Sequence, residues 1–518
     1  MVVNIKEGIH VRLRLIIVLF ALIFIIAARP VRAVDYSSET FYFVVIDRFY
    51  DGDLLNDRGG EIFSKDRSNW RLYWGGDFKG IAGHIGYLKA LGVTGLWITP
   101  VVRNTEYLYD YGNFTLSAYH GYWAIDFREI NEHFGTRNEL KELLAECSKQ
   151  GIHVILDIVV NHTSPTGRGA DGALYDRGRF VASHSKDPEG IFHHNKGIDH
   201  SKPYDPDIWN SWNLFDLADL NQQNAFVNQY LRDSYKEWLS MGFDGLRIDT
   251  ASYVNTPWLS SFVQDMRSTW PDIYVVGEWN KGGSDVPEAV AFERESSIHL
   301  LDFRLQYEIS GVFNENRPFT RITDLLAHDS KLVDPYQMMT FLDNHDMPRF
   351  MSQAISRGAD EKEARRRLEA ATYLLMTMRG IPCIYYGTEQ YLHNEGMSGS
   401  GPGSDPYCRP MMSSFDEKGG YFRNIRKLAD LRRENAALGR GKTETLIVTD
   451  DLYGFCRKLG GQMVVTAVNK GKSRSFTVAL DVPTGTYRSA IGPDLTVRNG
   501  QATITLDRLQ VMVTSIKK

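Results

Sequence analysis

The stretch "GFDGLRIDTASY", residues 242–253, ends an apolar run with Arg247 and Asp249, two residues apart. Alternation along a strand points both side chains to one face, and burying a guanidinium with a carboxylate is expensive unless the two are paired or used. Three other apolar runs end in a similar way. "HVILDIVVNH" (153–162) carries Asp157 and then Asn161-His162, "DIYVVGEW" (272–279) reaches Glu278, and "YQMMTFLDNHD" (336–346) ends on Asn344-His345-Asp346. One aspartate after a strand reads as a helix cap, and one histidine as a structural side chain. Four such endings at one end of one fold would gather Asp249, Glu278 and Asp346 around Arg247, His162 and His345. Two chemistries suit that set. Metal-dependent hydrolysis needs several His or carboxylate ligands at close spacing; here the two histidines each follow an asparagine. Glycoside hydrolysis with retention needs a carboxylate nucleophile and a protonated acid about 5 Å apart. Asp249 and Glu278, on neighbouring strands, can supply them, and Arg247 would keep Asp249 ionised and oriented.

The elements that must position these groups are legible as alternating segments. Strand candidates are "FYFVVID" (41–47), "GVTGLWITP" (92–100), 153–162, "FDGLRIDT" (243–250), 272–279, "HLLDFRL" (299–305), 336–346 and "IPCIYYG" (381–387). Most are near-continuous apolar runs, as parallel strands covered on both faces should be. Helical patterns lie between them, among them 136–151, 224–242 and 362–380, and Thr136 with Glu139 has the spacing of a capping box. The alternation predicts an α/β fold, a (β/α)₈ TIM barrel whose chemistry sits at the C-terminal ends of its strands. One connection, 163–221, is too long for a plain loop and reads as an inserted subdomain overhanging the barrel mouth. After about residue 435 the pattern becomes alternating apolar and polar with turn signals, which predicts a C-terminal antiparallel β-sandwich over 435–518. The barrel then comprises 34–162 and 222–434.

Of 518 residues the formal net charge is −5, with no long block of one sign. Nothing there suggests a nucleic-acid partner or a polybasic membrane surface. Lys6, Arg12 and Arg14 precede the apolar run "LIIVLFALIFIIAA" (15–28), and "RPVRA" follows with Val31 and Ala33 at small-x-small spacing. This is the pattern of a secretory signal peptide over 1–33, cleaved near Ala33. It predicts a secreted, extracellular protein with no stable membrane association after cleavage, working as a monomer. The cysteines, Cys147, Cys383, Cys408 and Cys456, are scattered and form no metal-type pair; one bridge among them is conceivable.

In order and spacing, "DIVVNH", "GFDGLRIDT", "GEW" and "FLDNHD" resemble the four sequence regions of the α-amylase family, glycoside hydrolase family 13. "IDRFYDGDLLND", "WRLYWGGDFKGI", "NLFDLADLNQQN" and "IPCIYYGTEQY" further resemble its cyclodextrin glucanotransferase and maltogenic amylase branch. The resemblance implies that Asp249 is the nucleophile, Glu278 the general acid and base, and Asp346 the third carboxylate, which holds sugar hydroxyls and favours distortion. It implies that Arg247, His162 and His345 bind the same sugar, that Tyr122 in "YHGYW" stacks under it with His120 nearby, and that Phe215 is the central aromatic of the cleft. It also implies two calcium sites: Asn161 with Asp219, joining the insert to the barrel, and Asp51, Asp53, Asn56 and Asp57 with Gly75 and Asp77. Oxygen ligands clustered on a turn suit that ion.

The departures from the branch set the functional expectation. Ser252 and Tyr253 stand where close relatives have a Lys-His pair, and Asn280 follows "GEW" where glucanotransferases carry an aromatic. The further starch-binding domains of those enzymes have no counterpart in the sequence. Water should then compete well for the intermediate. The expectation is an α-amylase hydrolysing internal α-1,4 bonds of starch-like glucans. The alternatives are a cyclodextrin glucanotransferase or a maltogenic enzyme and, more remotely, a non-catalytic glucan-binding protein.

Overall fold

The computed structural model describes residues 34–167, 170–281, 283 and 286–517. The expected leader at 1–33 lies outside the described residues. Among the described residues no helix is long and apolar enough to cross a membrane.

The apolar runs form one parallel sheet: β1 (Phe41–Val44), β2 (Gly95–Ile98), β3 (His153–Ile158), β4 (Gly245–Ile248), β5 (Tyr274–Gly277), β6 (His299–Leu300), β7 (Met339–Thr340) and β8 (Ile381–Tyr385). Each pairs with its sequence neighbour, and β8 returns to β1. A parallel bridge between Leu301 and Met339 closes the ring between β6 and β7. The fold is a (β/α)₈ barrel followed by C-terminal antiparallel sheets. Continuous hydrophobicity is what such strands require, since helices cover the outer face and side chains from the strands fill the inside.

The helices are where their periodicity puts them. Arg137–Lys149 begins with the capping box, Thr136 accepting from the Glu139 amide and Glu139 reaching back. Asn224 caps Ala225–Leu239 and Asp360 caps Glu361–Thr377. Gly380 turns the last of these into β8 at φ +91°; a Cβ there would stand 2.6 Å from Thr340 Cγ2.

Two expected strands are much shorter than their apolar runs. In "HLLDFRL" only His299–Leu300 is strand, because Asp302 accepts from the Leu305 amide at 3.0 Å and starts the helix Phe303–Asn314. In 336–346 only Met339–Thr340 pairs. Beyond it, Asp343 accepts from the Phe350 amide at 2.8 Å and Asn344 from that of Asp346 at 2.8 Å, which turns the rim into a fixed loop.

After β3 the chain makes short strands, His162–Gly167 pairing with Leu217–Asp219 so that His162 faces Asp219. The overhang is not built from 163–221 alone. Ala124–Ile130, from the loop after β2, lies between Val102–Asn104 and Leu174–Asp176 in one sheet. That sheet anchors the segment carrying His120 and Tyr122. All four cysteines are buried and unbridged.

The C-terminal region has five- and four-stranded antiparallel sheets, with Leu452, Val465, Val497, Leu506 and Met512 among the side chains packed between them. Its approach helix, Gly420–Glu434, carries the buried Arg432. That guanidinium donates to the carbonyls of Met376 (3.1 Å), Met378 (3.2 Å), Ser37 (2.8 Å) and Gly380, satisfying the C-terminal end of Glu361–Thr377. Burial, with Arg457 nearby, lowers its pKa to about 9. Arg432→Met strands those carbonyls and should reduce stability by about 3 kcal/mol or more. Urea denaturation followed by fluorescence measures this, and activity at low temperature should be unchanged.

Candidate active site

Strand register builds the site. β3 and β4 pair Arg247 with Asp157, and β4 and β5 pair Ile248 with Gly277. Asp249 and Glu278 therefore leave adjacent strands side by side, just past their C-terminal ends. Arg247, 1 % exposed, spans them. Its Nη1 donates to Asp157 Oδ1 at 2.9 Å and Asp249 Oδ1 at 2.7 Å, and its Nη2 to Glu278 Oε2 at 2.9 Å. The Thr250 amide, at φ +47°, adds a second donor to the same Glu278 oxygen at 3.1 Å. Among the described residues no protein donor reaches Glu278 Oε1 or Asp249 Oδ2. The pair thus has one oxygen apiece committed to the scaffold and one free for chemistry.

Burial pushes the Asp249 carboxyl well above the usual range; Glu278, Asp157 and Asp346 push the same way and Arg247 opposes them. Several carboxylates around one guanidinium hold a proton among themselves. The charge-assisted bond at 2.7 Å fixes Asp249 through Oδ1, while Asp249 Oδ2 and Glu278 Oε1 stay open to the cleft side. One anion and one acid, side by side, are the requirement for retaining glycoside chemistry.

The remaining expected residues surround this pair in one cleft of about 350 Å³. The Tyr122 hydroxyl donates to Asp157 at 2.7 Å, as does Trp97 Nε1 at 2.9 Å. The Tyr122 ring lies nearly parallel to His345 (5.2 Å between centroids, 13°) and to His120 (5.7 Å, 23°). Burial lowers the pKa of His120 and His345, with Arg409 adding to both, and takes His162 to about 4. All three rings are neutral at neutral pH, so they offer hydrogen bonds rather than charge. Asp346 stands 3.3 Å from His345 Nε2. Phe215, 70 % exposed and at φ +56°, is held out into the cleft from the inserted segment.

Two cleft residues, Arg409 and Lys281, were not foreseen, and neither was the supporting place of Asp157 beneath the cleft. Asp157 is visible in the sequence as a charge inside an apolar run, but its place beneath Arg247 is a matter of register. Arg409 donates to the His345 carbonyl at 2.8 Å and to Tyr119 at 3.1 Å, and pairs with Asp346 (3.4 Å) and Asp405 (3.1 Å). It comes from the irregular loop "GPGSDPYCRP", where no periodicity marks it. Lys281 lines the cleft directly after Asn280.

Two oxygen-lined sites suit a hard cation. Asn161 Oδ1 and Asp219 Oδ1 are buried with no protein partner, where the insert meets the barrel. The other Asp219 oxygen takes His193 Nδ1 at 2.6 Å, a partner not read from the sequence, and burial raises the carboxyl to about 7. In the loop after β1, Asp51 Oδ1, Asn56 Oδ1 and Asp57 Oδ1 are likewise buried and unpartnered. Burial, with Asp51 and Asp77 nearby, lifts Asp57 to about 6. A Cβ on Gly75 would fall 2.5 Å from Asp57, which leaves room there only for glycine. Asp77 already accepts from the amides of Gly52, Asp53 and Gly80 and from Asn56 Nδ2, so it organises the loop. The Asp53 carboxylate turns instead to Lys79 and the Leu55 amide.

Residues 43–436 match the family described as Alpha amylase, catalytic domain. The chain belongs to the α-amylase family. Its enzymes are glycoside hydrolases acting with retention, and that chemistry agrees with the arrangement of Asp249, Glu278 and Arg247. The chain is 37% identical over 473 residues to a cyclomaltodextrin glucanotransferase of Paenibacillus macerans, covering 88% of this chain and 63% of that protein. It thus spans less than two thirds of the length of that relative. Among solved structures it is similar to CldA, a cyclomaltodextrin glucanotransferase with a three-domain ABC distribution (38% identity, TM-score 0.87, 93% of this chain and 99% of that one). It is also similar to an Anoxybacillus alpha-amylase (30% identity, TM-score 0.79, 93% and 99%).

Arg247→Lys keeps a charge and loses the planar fork that reaches three carboxylates. With a nitrophenyl maltooligosaccharide, kcat should fall about 100-fold or more, as when a preorganised transition-state donor is removed, with a much smaller change in KM. Initial-rate kinetics at one pH check it.

Proposed function

We propose that this protein cleaves α-1,4-glucosidic bonds of starch-like glucans by double displacement and passes the glycosyl unit to a sugar hydroxyl, as a cyclodextrin glucanotransferase does. Asp249 Oδ2 attacks the anomeric carbon while Glu278 Oε1 gives its proton to the departing oxygen. A covalent glycosyl-enzyme forms with inversion. Glu278, now anionic, takes the proton of the incoming hydroxyl, whose oxygen displaces Asp249 with a second inversion. Arg247 holds both carboxyls in place through the exchange of charge. Asp346, steadied by Arg409, with His162 and His345, holds hydroxyls of the sugar at the cleavage point, and Tyr122 with His120 forms the surface beneath it.

The observation that carries transfer over hydrolysis is Phe215. A large ring, mostly exposed and held on a left-handed backbone in mid-cleft, is strained and wetted for no gain in folding. It gives a glucan chain an apolar face to curl around, which brings the chain's own end to the intermediate. The likeness to a three-domain glucanotransferase, over 93% of this chain and 99% of that one, supports the transfer reading. Hydrolysis is the second reading, favoured by Asn280, a polar side chain in the cleft wall where the glucanotransferases carry a ring. A non-catalytic glucan-binding role would leave the intact Asp249–Arg247–Glu278 arrangement without a purpose.

Calcium fits both oxygen-lined sites: Asn161 and Asp219, with His193 orienting the latter, and Asp51, Asn56 and Asp57 beside Gly75. When bound, the ion neutralises these buried oxygens and ties the insert to the barrel. We place the protein outside the cell, exported through the segment before residue 34 and acting as a monomer.

Incubation with soluble starch, with products resolved over time, tests the reading. Cyclodextrins should appear early; linear maltooligosaccharides alone would overturn transfer and leave the two-carboxylate chemistry standing. Phe215→Leu should lower cyclisation about tenfold relative to hydrolysis, the effect of losing a ring contact worth about 1.4 kcal/mol. Chelation should lower the melting temperature by roughly 2–3 °C for each site emptied, as loss of a ligand present at about 100 times its Kd removes about 2.7 kcal/mol from a chain of this size. Added calcium should restore it.

A further inference from the structure

Lys281 follows Asn280 on the loop after β5 and lies half-buried in the cleft wall. Its Nζ stands 3.6 Å from the ring centroid of Trp209 and 4.6 Å from that of Tyr253, and it bonds the Tyr253 hydroxyl. Trp209 and Tyr253 are stacked at 4.6 Å and are 4 % and 7 % exposed, so they form a rigid seat. Trp279 Nε1 fixes the loop by donating to the Lys281 carbonyl at 3.3 Å. Two separate segments, those of Trp209 and Tyr253, thus converge on one ammonium.

The placement is costly as structure alone. Among the described residues the amine has no carboxylate in ion-pair contact, and burial lowers its pKa to about 8, Glu278 being the charge that opposes the fall. Aromatic faces return only part of the lost hydration. An ammonium has three donors, and Tyr253 occupies one. The face of Trp209 lies against the amine as well, which leaves a donor for a ligand in the cleft.

The cleft walls divide into two contact networks. His120, Tyr122, His345, Asp346 and Arg409 form one. Lys281, Tyr253 and Trp209 form the other, which His200 extends to Phe215 at 5.3 Å. Lys281 and Tyr253 of the second group both feel the Glu278 charge and line the cleft with it. Ser252 and Asn280, on that same side, carry no charge.

We propose that Lys281 is the group that binds hydroxyls of the glucosyl units on the acceptor side of the scissile bond, seated there by Trp209 and Tyr253. The assignment rests on the reading of Glu278 as the acid. It makes Lys281 a determinant of which bond is cut and of how well a sugar competes with water.

Maltopentaose labelled at its reducing end reports which bond is broken, whether water or a sugar takes the glycosyl unit. In Lys281→Met the cleavage position should move toward products with fewer units on the acceptor side, and the acceptor KM in disproportionation should rise about tenfold. The loss with α-maltosyl fluoride, whose leaving group fills no sugar site, should be about tenfold smaller. Lys281→Arg, which keeps a cation, should recover most of the wild-type cleavage pattern. An unchanged pattern in Lys281→Met overturns the proposal, and so does an equal loss on the fluoride, which would mark a structural residue. If the wild-type protein shows no transfer at all, the transferase reading fails, and the cleavage map still decides the role of Lys281.

Discussion

One buried guanidinium organises this molecule. Arg247 sits at the rim of the barrel with three carboxylates around it, and no arrangement of lesser precision is tolerable there. Each carboxylate would be costly alone in that environment, and Arg247 alone would be costlier still. Together they are mutually necessary. The parallel register of β3, β4 and β5 is what delivers them to one point, since a slip of one residue would turn Arg247 away from Asp157 and the cleft. Asp157 does no chemistry itself in this arrangement. It receives Arg247, Tyr122 and Trp97 at once, and so transmits the position of β2 and of the loop after it into the placement of the reacting pair.

The same logic explains why so much around the cleft is neutral or unsatisfied. Three histidines are buried and uncharged, so they offer hydrogen bonds without adding charge beside the carboxylates. The unpartnered oxygens of Asn161 and Asp219 lie where the insert joins the barrel, next in sequence to His162. A cation there would stiffen the very junction on which His162 depends. Stability and function would be coupled at that seam through the placement of His162.

Much of this was legible from residue order. Continuous apolar runs gave eight strands, and charges at their ends gave the reacting groups, because parallel strands place their C-terminal ends together whatever the loops do. Thr136 and Glu139 gave a helix start because capping is local. What failed was also physical. "HLLDFRL" satisfies a strand and the first turn of a helix equally, and only the Asp302 cap decides. Arg409, His193 and Lys281 come from irregular loops, whose paths depend on packing that no period encodes. The weaving of Ala124–Ile130 into the overhang is a long-range pairing and left no local trace.

The balance between water and sugar as acceptor then turns on a few side chains set in loops, while the chemistry is fixed by strands. Arg247, Asp249 and Glu278 cannot move without unmaking the barrel's rim. Phe215, Asn280 and Lys281 stand on loops, outside the paired strands, where substitution leaves the barrel's register untouched. An exposed ring on a strained backbone in mid-cleft, a polar amide where relatives carry a ring, and a cation seated on two buried aromatics pull the acceptor side in different directions. Under the proposed function the ring would favour a curled glucan chain, the amide would admit water, and the cation would hold a hydroxyl-rich unit. Since Lys281 recovers by hydrogen bonding some of what Asn280 gives up in stacking, the sequence departure that argues for hydrolysis is offset one residue further along the same loop.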